Sequence, residues 1–373
     1  MFRFRGRTTR VAAGLVQAAV VFAIAVQACA ADEAPPGAVT VAIATDEVPG
    51  IGHVATDEAC SDALRCLCCP DWRQYAVFDA LFLQRNNQAG DQPLVFDTDT
   101  GAAVMTTQSL QPSVATGARV FYGELATDTW GWEAGYTGVY GMFGSATVAG
   151  AANLGLPPPL GLAVHNFGQA DQVRATYWST LNMAEFNVFR YDCRTECGRR
   201  ARQNCHCIDW LGGFVWAGLD EQANIEATCC TPPEAANYKV RTSTNYYGAQ
   251  VGMRGRREWN RWAVEGWWKT ALCGTTASQG ADPIVGTISG MERGAVSAWT
   301  TGVGFIGNLN ATLVYRLTDV WGLRAGYNII WLTNAALAPT QWDFATAEGA
   351  GTGINDNGVL FLHGANLGVE ARW

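Results

Sequence analysis

Lysine, histidine and long apolar segments are scarce in this chain of 373 residues. Lys239 and Lys269 are its only lysines, so nearly all cations are arginines, which keep their charge when partly buried and pair with carboxylates through two hydrogen bonds. Beyond residue 30 no apolar stretch reaches the roughly 20 residues that a membrane-spanning helix needs. If the chain crosses a membrane, it must do so as a closed β-barrel, because only helices and barrels satisfy every backbone polar group in lipid.

The first 30 residues have the composition of a secretory signal peptide. Four arginines and no acid precede an apolar run at residues 11–26, and residues 28–30 form an Ala-x-Ala cleavage pattern. We expect cleavage after Ala30. An uncleaved anchor is the first alternative, but the run is short for a spanning helix. A lipoprotein is the second, since residues 26–29 loosely resemble a lipobox in which Gln27 fits poorly.

The mature chain is predicted to be strongly acidic. The whole sequence has 25 Lys and Arg against 33 Asp and Glu, and the signal peptide removes four arginines, which leaves 21 − 33 = −12. Nucleic acid needs a basic surface, so we expect no nucleic-acid partner.

Composition favours one all-β domain. Gly (42), Trp (15), Phe (15) and Tyr (11) are abundant, whereas Lys and Glu, the usual formers of surface helices, are scarce. We therefore divide the chain into a signal peptide at 1–30, a periplasmic cysteine-containing segment at 31–71 and a barrel domain at 72–373.

The last segment shows most clearly the alternation expected of a membrane strand. One face is mainly apolar and carries Val359, Phe361, His363, Ala365, Leu367, Val369, Ala371 and Trp373. The other carries Gly364, Asn366, Gly368, Glu370 and Arg372. A terminal aromatic that closes such a strand resembles the signal read by the barrel-assembly machinery. We expect Trp373 to be that assembly signal, with this machinery and outer-membrane lipid as partners.

The same pattern predicts an antiparallel up-and-down barrel of about ten strands. The candidate strands lie near 72–84, 113–125, 129–140, 174–190, 209–225, 242–254, 260–272, 299–317, 320–333 and 358–373. Twelve strands stay open as an alternative, if the segment near 92–107 pairs as a hairpin.

Long and short connections alternate from one predicted strand to the next. Long connections are predicted at 85–112, 226–241, 273–298 and 334–357, with another between strands three and four. Tight turns fall between them, apart from a cysteine-rich insertion at 191–208. Outer-membrane barrels have short periplasmic turns and longer external loops, whereas a soluble sandwich or barrel has no reason for this regularity. We therefore expect the cell outer membrane as the location.

Side-chain parity predicts which residues face lipid and which face the lumen. Trp130, Trp132, Tyr136 and Tyr140 share one face, which suits an interfacial aromatic girdle. The predicted inward charges are Arg119, Glu133, Glu185, Arg254, Glu265, Lys269, Arg316, Arg324, Glu370 and Arg372. They would either fill a narrow interior with salt bridges or line a constriction that selects small solutes by charge.

Several segments, taken in order, resemble family seven of the β-barrel porins, a family described mainly from planctomycete bacteria. They are residues 75–83 (YAVFDALFL), 117–120 (GARV), 209–214 (DWLGGF), 245–252 (NYYGAQVG), 262–269 (WAVEGWWK), 315–319 (YRLTD), 323–327 (LRAGY) and 365–370 (ANLGVE). The resemblance implies an outer-membrane barrel whose solute, if any, is not established, and it supplies no catalytic residues. The cysteine insertions depart from the family pattern.

Eleven cysteines remain after signal cleavage, and an oxidising envelope favours disulfides. The periplasmic candidates are Cys60, Cys66, Cys68, Cys69, Cys193, Cys197, Cys205 and Cys207, and the external ones are Cys229, Cys230 and Cys273. We expect Cys273 to pair with Cys229 or Cys230. A metal site built from residues 193–207, including His206, is the alternative, but Cys-x-x-Cys pairs are absent, so we expect no metal and no cofactor.

No catalytic site is expected. Hydrolysis would need a histidine beside a carboxylate or a nucleophile. His165 lies near Asp171 in sequence, His363 falls on the predicted lipid face, and His53 and His206 are periplasmic. We therefore predict a porin that gives narrow passive diffusion of small solutes. The alternative is a non-conducting structural or surface-display protein, and an outer-membrane hydrolase is a remote third.

Overall fold

The computed structural model describes residues 72–373 except 88, 128, 192, 196–204, 231–233 and 287–289. The predicted signal peptide and the 31–71 segment therefore lie outside the described residues, together with Cys60, Cys66, Cys68, Cys69 and Cys197. The described part of the chain is all-β apart from four one-turn helices.

Ten antiparallel strands close into one ring, as the sequence predicted. They are β1 (Gln74–Asn86), β2 (Ala115–Leu125), β3 (Trp130–Gly155), β4 (Ala170–Arg190), β5 (Cys205–Cys229), β6 (Glu234–Trp259), β7 (Trp262–Ala281), β8 (Val296–Arg316), β9 (Trp321–Ala335) and β10 (Gly358–Arg372). Each strand pairs with its neighbours along the chain, and β1 pairs with β10 from Tyr75 opposite Arg372 to Asn86 opposite Phe361. Over the length where all ten strands pair, the ring therefore leaves no free sheet edge.

The register around the ring gives the barrel its width. The residues paired in succession, starting from Tyr75, are Gly123, Glu133, Asn187, Gly213, Gln250, Ala271, Ile306, Leu332 and Leu360. Leu360 lies opposite residue 87, because Phe361 lies opposite Asn86, so one circuit advances 87 − 75 = 12 residues along β1. Ten strands with this stagger tilt by about 40° and give a backbone radius of about 10 Å.

An apolar band surrounds the ring. Outward aromatic side chains at the end of the short turns include Trp130, Trp210, Trp262, Trp321 and Trp373. On β9 the next outward tryptophan, Trp331, lies ten residues further along the strand. Ten residues of a strand tilted by about 40° span about 25 Å, the height of the apolar band in outer-membrane barrels.

The six strands β3 to β8 are longer than predicted, with 20 to 26 residues against 11 to 15 in β1, β2, β9 and β10. Their upper parts form a tall wall above the level of Trp331, because β5 and β6 continue pairing up to Cys229 opposite Glu234. The predicted long loop at 226–241 is therefore wrong, and only residues 230–233 join these strands. The loop predicted at 273–298 is likewise shorter, since β7 extends to Ala281.

Short elements fill the long connections. A hairpin of Pro93–Asp97 and Ala103–Thr106 lies between β1 and β2 and pairs with β3 through Phe96 and Asp97. The hairpin does not become part of the closed ring of strands, so the barrel keeps ten strands, not twelve. The helices α1 (Leu160–Ala163) and α2 (His165–Gly168) follow β3, and 3₁₀ turns lie at Thr107–Ser109 and Ala338–Gln341.

The described helices contain three or four residues each, and none is long and apolar enough to cross a membrane.

Candidate functional site: the barrel interior

The half of the interior nearest the short turns is filled by a network of paired charges, the lumen network. Its seven cations are Arg119, Arg254, Arg256, Lys269, Arg316, Arg324 and Arg372. Its seven carboxylates are Asp79, Glu133, Glu185, Asp209, Glu258, Glu265 and Glu370. Every member forms at least one salt bridge within the set, so the formal charge of the network is zero.

Arg324 is the most enclosed of these cations, with no side-chain exposure. Its guanidinium group lies 3.3 Å from Asp79, 3.2 Å from Glu265 and 2.7 Å from Glu370. Arg256 contacts the same two glutamates, at 2.9 Å to Glu265 and 2.8 Å to Glu370. A planar guanidinium donates in several directions at once, which explains why arginine predominates here.

A second group lies higher in the lumen, around Lys269. Its ammonium lies 3.0 Å from Glu133 and 2.7 Å from Glu185, and 4.6 Å from the ring centre of Phe121. Arg254 joins this group through Glu133 at 3.1 Å and Asp209 at 2.8 Å. The aromatic face and the carboxylates together replace the water that these cations lose on burial.

All ten inward charges predicted from the sequence lie in this network, with Arg316 at its half-exposed rim beside Glu258. Sequence reasoning missed Asp79, Asp209, Arg256 and Glu258. Asp79 and Asp209 have the parity of their inward neighbours and could have been included on that ground. Arg256 and Glu258 were assigned to a turn at 255–259, but β6 continues to Trp259.

Amide side chains complete the network on its upper side. Arg119 donates to Asn328 Oδ1 at 2.6 Å, and Asn310 Nδ2 donates to the same oxygen at 2.8 Å. Asn328 Nδ2 in turn donates to Asn366 Oδ1 at 2.8 Å. These groups give buried donors and acceptors partners without water.

An apolar layer crosses the barrel above the network. Each of the ten strands contributes to it, and every member is at most 5% exposed. The larger members are Leu81, Leu83, Val139, Met142, Leu181, Met183, Val215, Leu219, Tyr246, Ile306, Ile330, Leu332, Leu360 and Leu362. The sequence prediction of a polar lumen is therefore correct only for the half nearest the short turns.

A plug fills the barrel above this layer. It consists of the described parts of connections 87–114, 156–169 and 336–357, which pack their apolar side chains against the inner face of the tall wall. Leu94, Met105, Phe167 and Trp342 from the plug are at most 2% exposed. The plug and the wall thus form a second hydrophobic core at the end of the long loops.

Polar contacts attach the plug to the wall. Ala338 N donates to Glu221 Oε2 at 2.9 Å, and Ala336 N donates to Thr244 Oγ1 at 3.1 Å. Glu221 also accepts from Tyr177 at 2.7 Å. Arg85 Nη1 lies 2.7 Å from Glu221 Oε1, an ion pair that lacks hydrogen-bond alignment. Arg85 and Glu221 are both buried, and as one cation and one anion they keep the interior neutral.

A cavity of about 20 Å³ lies in the lumen network, lined by Tyr75, Glu133, Lys269 and their neighbours. A cavity of this size holds about one water molecule. A second concavity, of about 310 Å³, lies among the outward side chains of Leu313, Leu323 and Leu367 and is part of the apolar band.

The external cysteines pair differently from the prediction. Cys229 and Cys230 form a disulfide with each other, and Cys273 is a free, buried thiol. The predicted pairing of Cys273 with either is wrong, because β7 extends past Cys273 and turns it into the lumen, opposite Gly248 of β6. Cys207 is disulfide-bonded, and in a short ladder the backbone of Cys193 pairs with that of Cys207 and the backbone of Thr195 with that of Cys205.

Two histidine side chains are described. His363 lies on the outward face, where its Nδ1 is 2.7 Å from the hydroxyl of Tyr327. His165 lies in α2 at the mouth of the barrel, with Nε2 3.7 Å from Cys230 Sγ.

The closed ring, the apolar band between aromatic girdles and the enclosed polar interior define an outer-membrane β-barrel. More specifically, a family model described as "Putative beta barrel porin-7" matches residues 171–373, which is over half of the chain, and the protein belongs to that family. The resemblance inferred from the sequence is thereby confirmed. No curated protein sequence matches the chain.

Several solved structures are similar to this chain at low identity and with TM-scores below 0.5. The outer membrane protease OmpT from Escherichia coli is 9% identical, with a TM-score of 0.45 over 82% of this chain and 97% of that one. CarO from Acinetobacter baumannii is 9% identical, with a TM-score of 0.26 over 81% and 98%. The toluene transporter TodX from Pseudomonas putida is 8% identical, with a TM-score of 0.23 over 82% and 90%. Identities this low carry no information about a shared activity.

Proposed function

We propose that this protein, with the plug in place, is a non-conducting outer-membrane barrel. It acts as a structural and surface-display protein. The observation that carries the proposal is the filled cross-section. The lumen network, the apolar layer and the plug lie one above another, and a solute would have to displace all three.

Neutrality of the interior supports the same conclusion. A charge-selective constriction presents an excess of one sign to the solute. Here the network pairs seven cations with seven carboxylates, and Arg85 with Glu221 adds one of each. The narrow passive pore expected from the sequence is therefore the second candidate.

Lipid of the outer membrane is the partner that the apolar band requires, and we retain the barrel-assembly machinery as the reader of Trp373. We also retain the prediction that the protein is not an enzyme. Neither described histidine is part of a pair with a carboxylate that a hydrolase would use, since His363 contacts Tyr327 and His165 contacts Cys230.

Liposome swelling tests the proposal. Vesicles containing the wild-type barrel should swell no faster than protein-free vesicles in isosmotic glycerol, amino acids or sugars, while a general porin reconstituted alongside should swell them. A variant with residues 338–355 replaced by a short Gly-Ser linker should also stay closed, because the apolar layer and lumen network lie beneath the plug. Swelling of the wild type would overturn the proposal, and swelling of the variant alone would identify a pore gated by the plug.

A further inference from the structure

Three donors of a kind that bind soft metal ions meet at the mouth of the barrel. His165 comes from α2, and Cys229 and Cys230 lie where β5 ends and the turn to β6 begins. One ligand atom from each lies within 4.8 Å of the other two. The lumen network and the contacts that attach the plug do not involve any of the three.

The separation between Cys230 and His165 fits two ligands of a tetrahedral ion. Zinc binds thiolate sulfur at about 2.3 Å and imidazole nitrogen at about 2.0–2.1 Å, so the sulfur and nitrogen of two ligands lie about 3.6 Å apart. Cys230 Sγ lies 3.7 Å from His165 Nε2. A third ligand from the adjacent Cys229 would leave one coordination position for water, an arrangement that zinc accepts with two cysteines and one histidine.

Neighbouring groups hold the donors in place without competing as ligands. Asn166 Nδ2 donates to Cys229 Sγ at 3.4 Å, a contact that would stabilise negative charge on this sulfur once the disulfide is reduced. Asp171 accepts from Cys230 N and from Ala152 N, both at 3.0 Å, so each of its oxygens already has a partner. Cys230 has a φ of 71°, and this backbone conformation places consecutive cysteines on the same turn.

We propose that His165, Cys229 and Cys230 form a site for a thiophilic divalent ion such as Zn²⁺, available when the Cys229–Cys230 disulfide is reduced. Reduction by a thiol breaks the S–S bond, adds two electrons and two protons, and oxidises two thiols to a disulfide. Binding of the ion then releases two protons from the cysteine thiols. The bound ion would be electrically neutralised by two thiolates, with a neutral imidazole as the third ligand.

The site would connect α2 in the plug to the turn at the top of the tall wall. Metal binding would therefore replace the disulfide, which lies within the turn, by a metal-mediated link between the plug and the wall. The proposal concerns the mouth of the barrel alone, so it does not depend on whether the lumen conducts.

Cobalt titration of the reduced, full-length mature barrel in detergent tests the site. The protein is reduced with a phosphine, which becomes phosphine oxide with oxygen from water, and is then freed of reductant without air. Co²⁺ is the probe, because thiolate ligation gives a near-ultraviolet charge-transfer band and tetrahedral geometry gives visible bands. Zn²⁺ added afterwards should displace it.

Variants separate Co²⁺ binding at this site from binding at the other cysteines. Relative to the double variant Cys229→Ser/Cys230→Ser, the reduced wild type should bind one more Co²⁺ per chain. His165→Ala should weaken that binding at least about tenfold, whereas Cys273→Ser, which removes the free buried thiol, should leave it unchanged. The unreduced wild type should bind no more than the double variant.

Three results would each overturn the proposal. They are equal Co²⁺ binding by the reduced wild type and the double variant, unchanged affinity in His165→Ala, and a Cys229–Cys230 bond that resists reduction in the folded barrel.

Discussion

Arg324 shows how a charge is kept inside this barrel. Its side chain has no exposure, and three carboxylates surround it within 3.3 Å. Burying the ions costs several kcal/mol each, which the attraction between them offsets only when all partners are present. Removing one partner from such a cluster is therefore more harmful than removing an exposed ion pair.

We expect Arg324→Met to lower the free energy of unfolding by about 3–5 kcal/mol, because Asp79, Glu265 and Glu370 would be left buried without this cation. Arg241→Met is the matched control. Arg241 pairs with Asp282 at 2.9 Å while both side chains are about half exposed, and such pairs contribute about 0–1 kcal/mol. Urea unfolding in micelles, followed by tryptophan fluorescence, measures both. Equal losses in the two variants would contradict this account of the network.

The cysteines show where residue-level reasoning from the sequence fails. Strand parity cannot say how far a strand extends above the membrane, and that height decides whether Cys273 meets Cys229. In the folded barrel Cys229 ends β5, whereas Cys273 lies in mid-strand within the apolar layer. Apart from their adjacency, nothing in the sequence indicated that Cys229 and Cys230 would pair with each other.

At the scale of elements, alternation of apolar and polar side chains predicted all ten strands, and their ends were less predictable. Above the membrane the outward side chains are polar, as in Asn224 and Asn237, so the pattern resembles a loop. In the apolar layer both faces are apolar, and residues 329–332 and 360–362 read as continuous apolar runs, typical of strands buried on both sides. The alternation of apolar and polar side chains therefore predicted the charged half of the lumen but not the apolar half.

The plug is an element whose attachment can be loosened by one substitution. In Thr244→Val the shape is kept, but Ala336 N loses its acceptor, and an unpaired buried amide costs about 1–3 kcal/mol. We expect backbone amides in 336–357 to exchange with deuterium about tenfold faster or more, while those of the barrel strands stay protected. Ser243→Ala, on the adjacent outward-facing residue, should change neither. Unaltered exchange in Thr244→Val would show that this contact does not hold the plug.

At the scale of the whole molecule, strand number and stagger decide how much must be filled. A ring of about 10 Å radius has little room left once arginine, glutamate and aromatic side chains extend inward from all sides. Glycines make the space for the largest of them: a Cβ at Gly135 would lie 2.1 Å from the ring of Phe121. The sequence alone could not give this stagger, because it is the sum of the registers of all ten strand pairs, including the pairing of β1 with β10 that closes the ring.

Single-channel recording in planar bilayers tests the central claim of a filled barrel most directly. Insertion of correctly folded wild-type protein, verified by its heat-modifiable mobility in gels, should leave the current at baseline at moderate voltage and high salt. Stable, uniform conductance steps that scale with protein added would contradict the filled interior and would make the protein a pore.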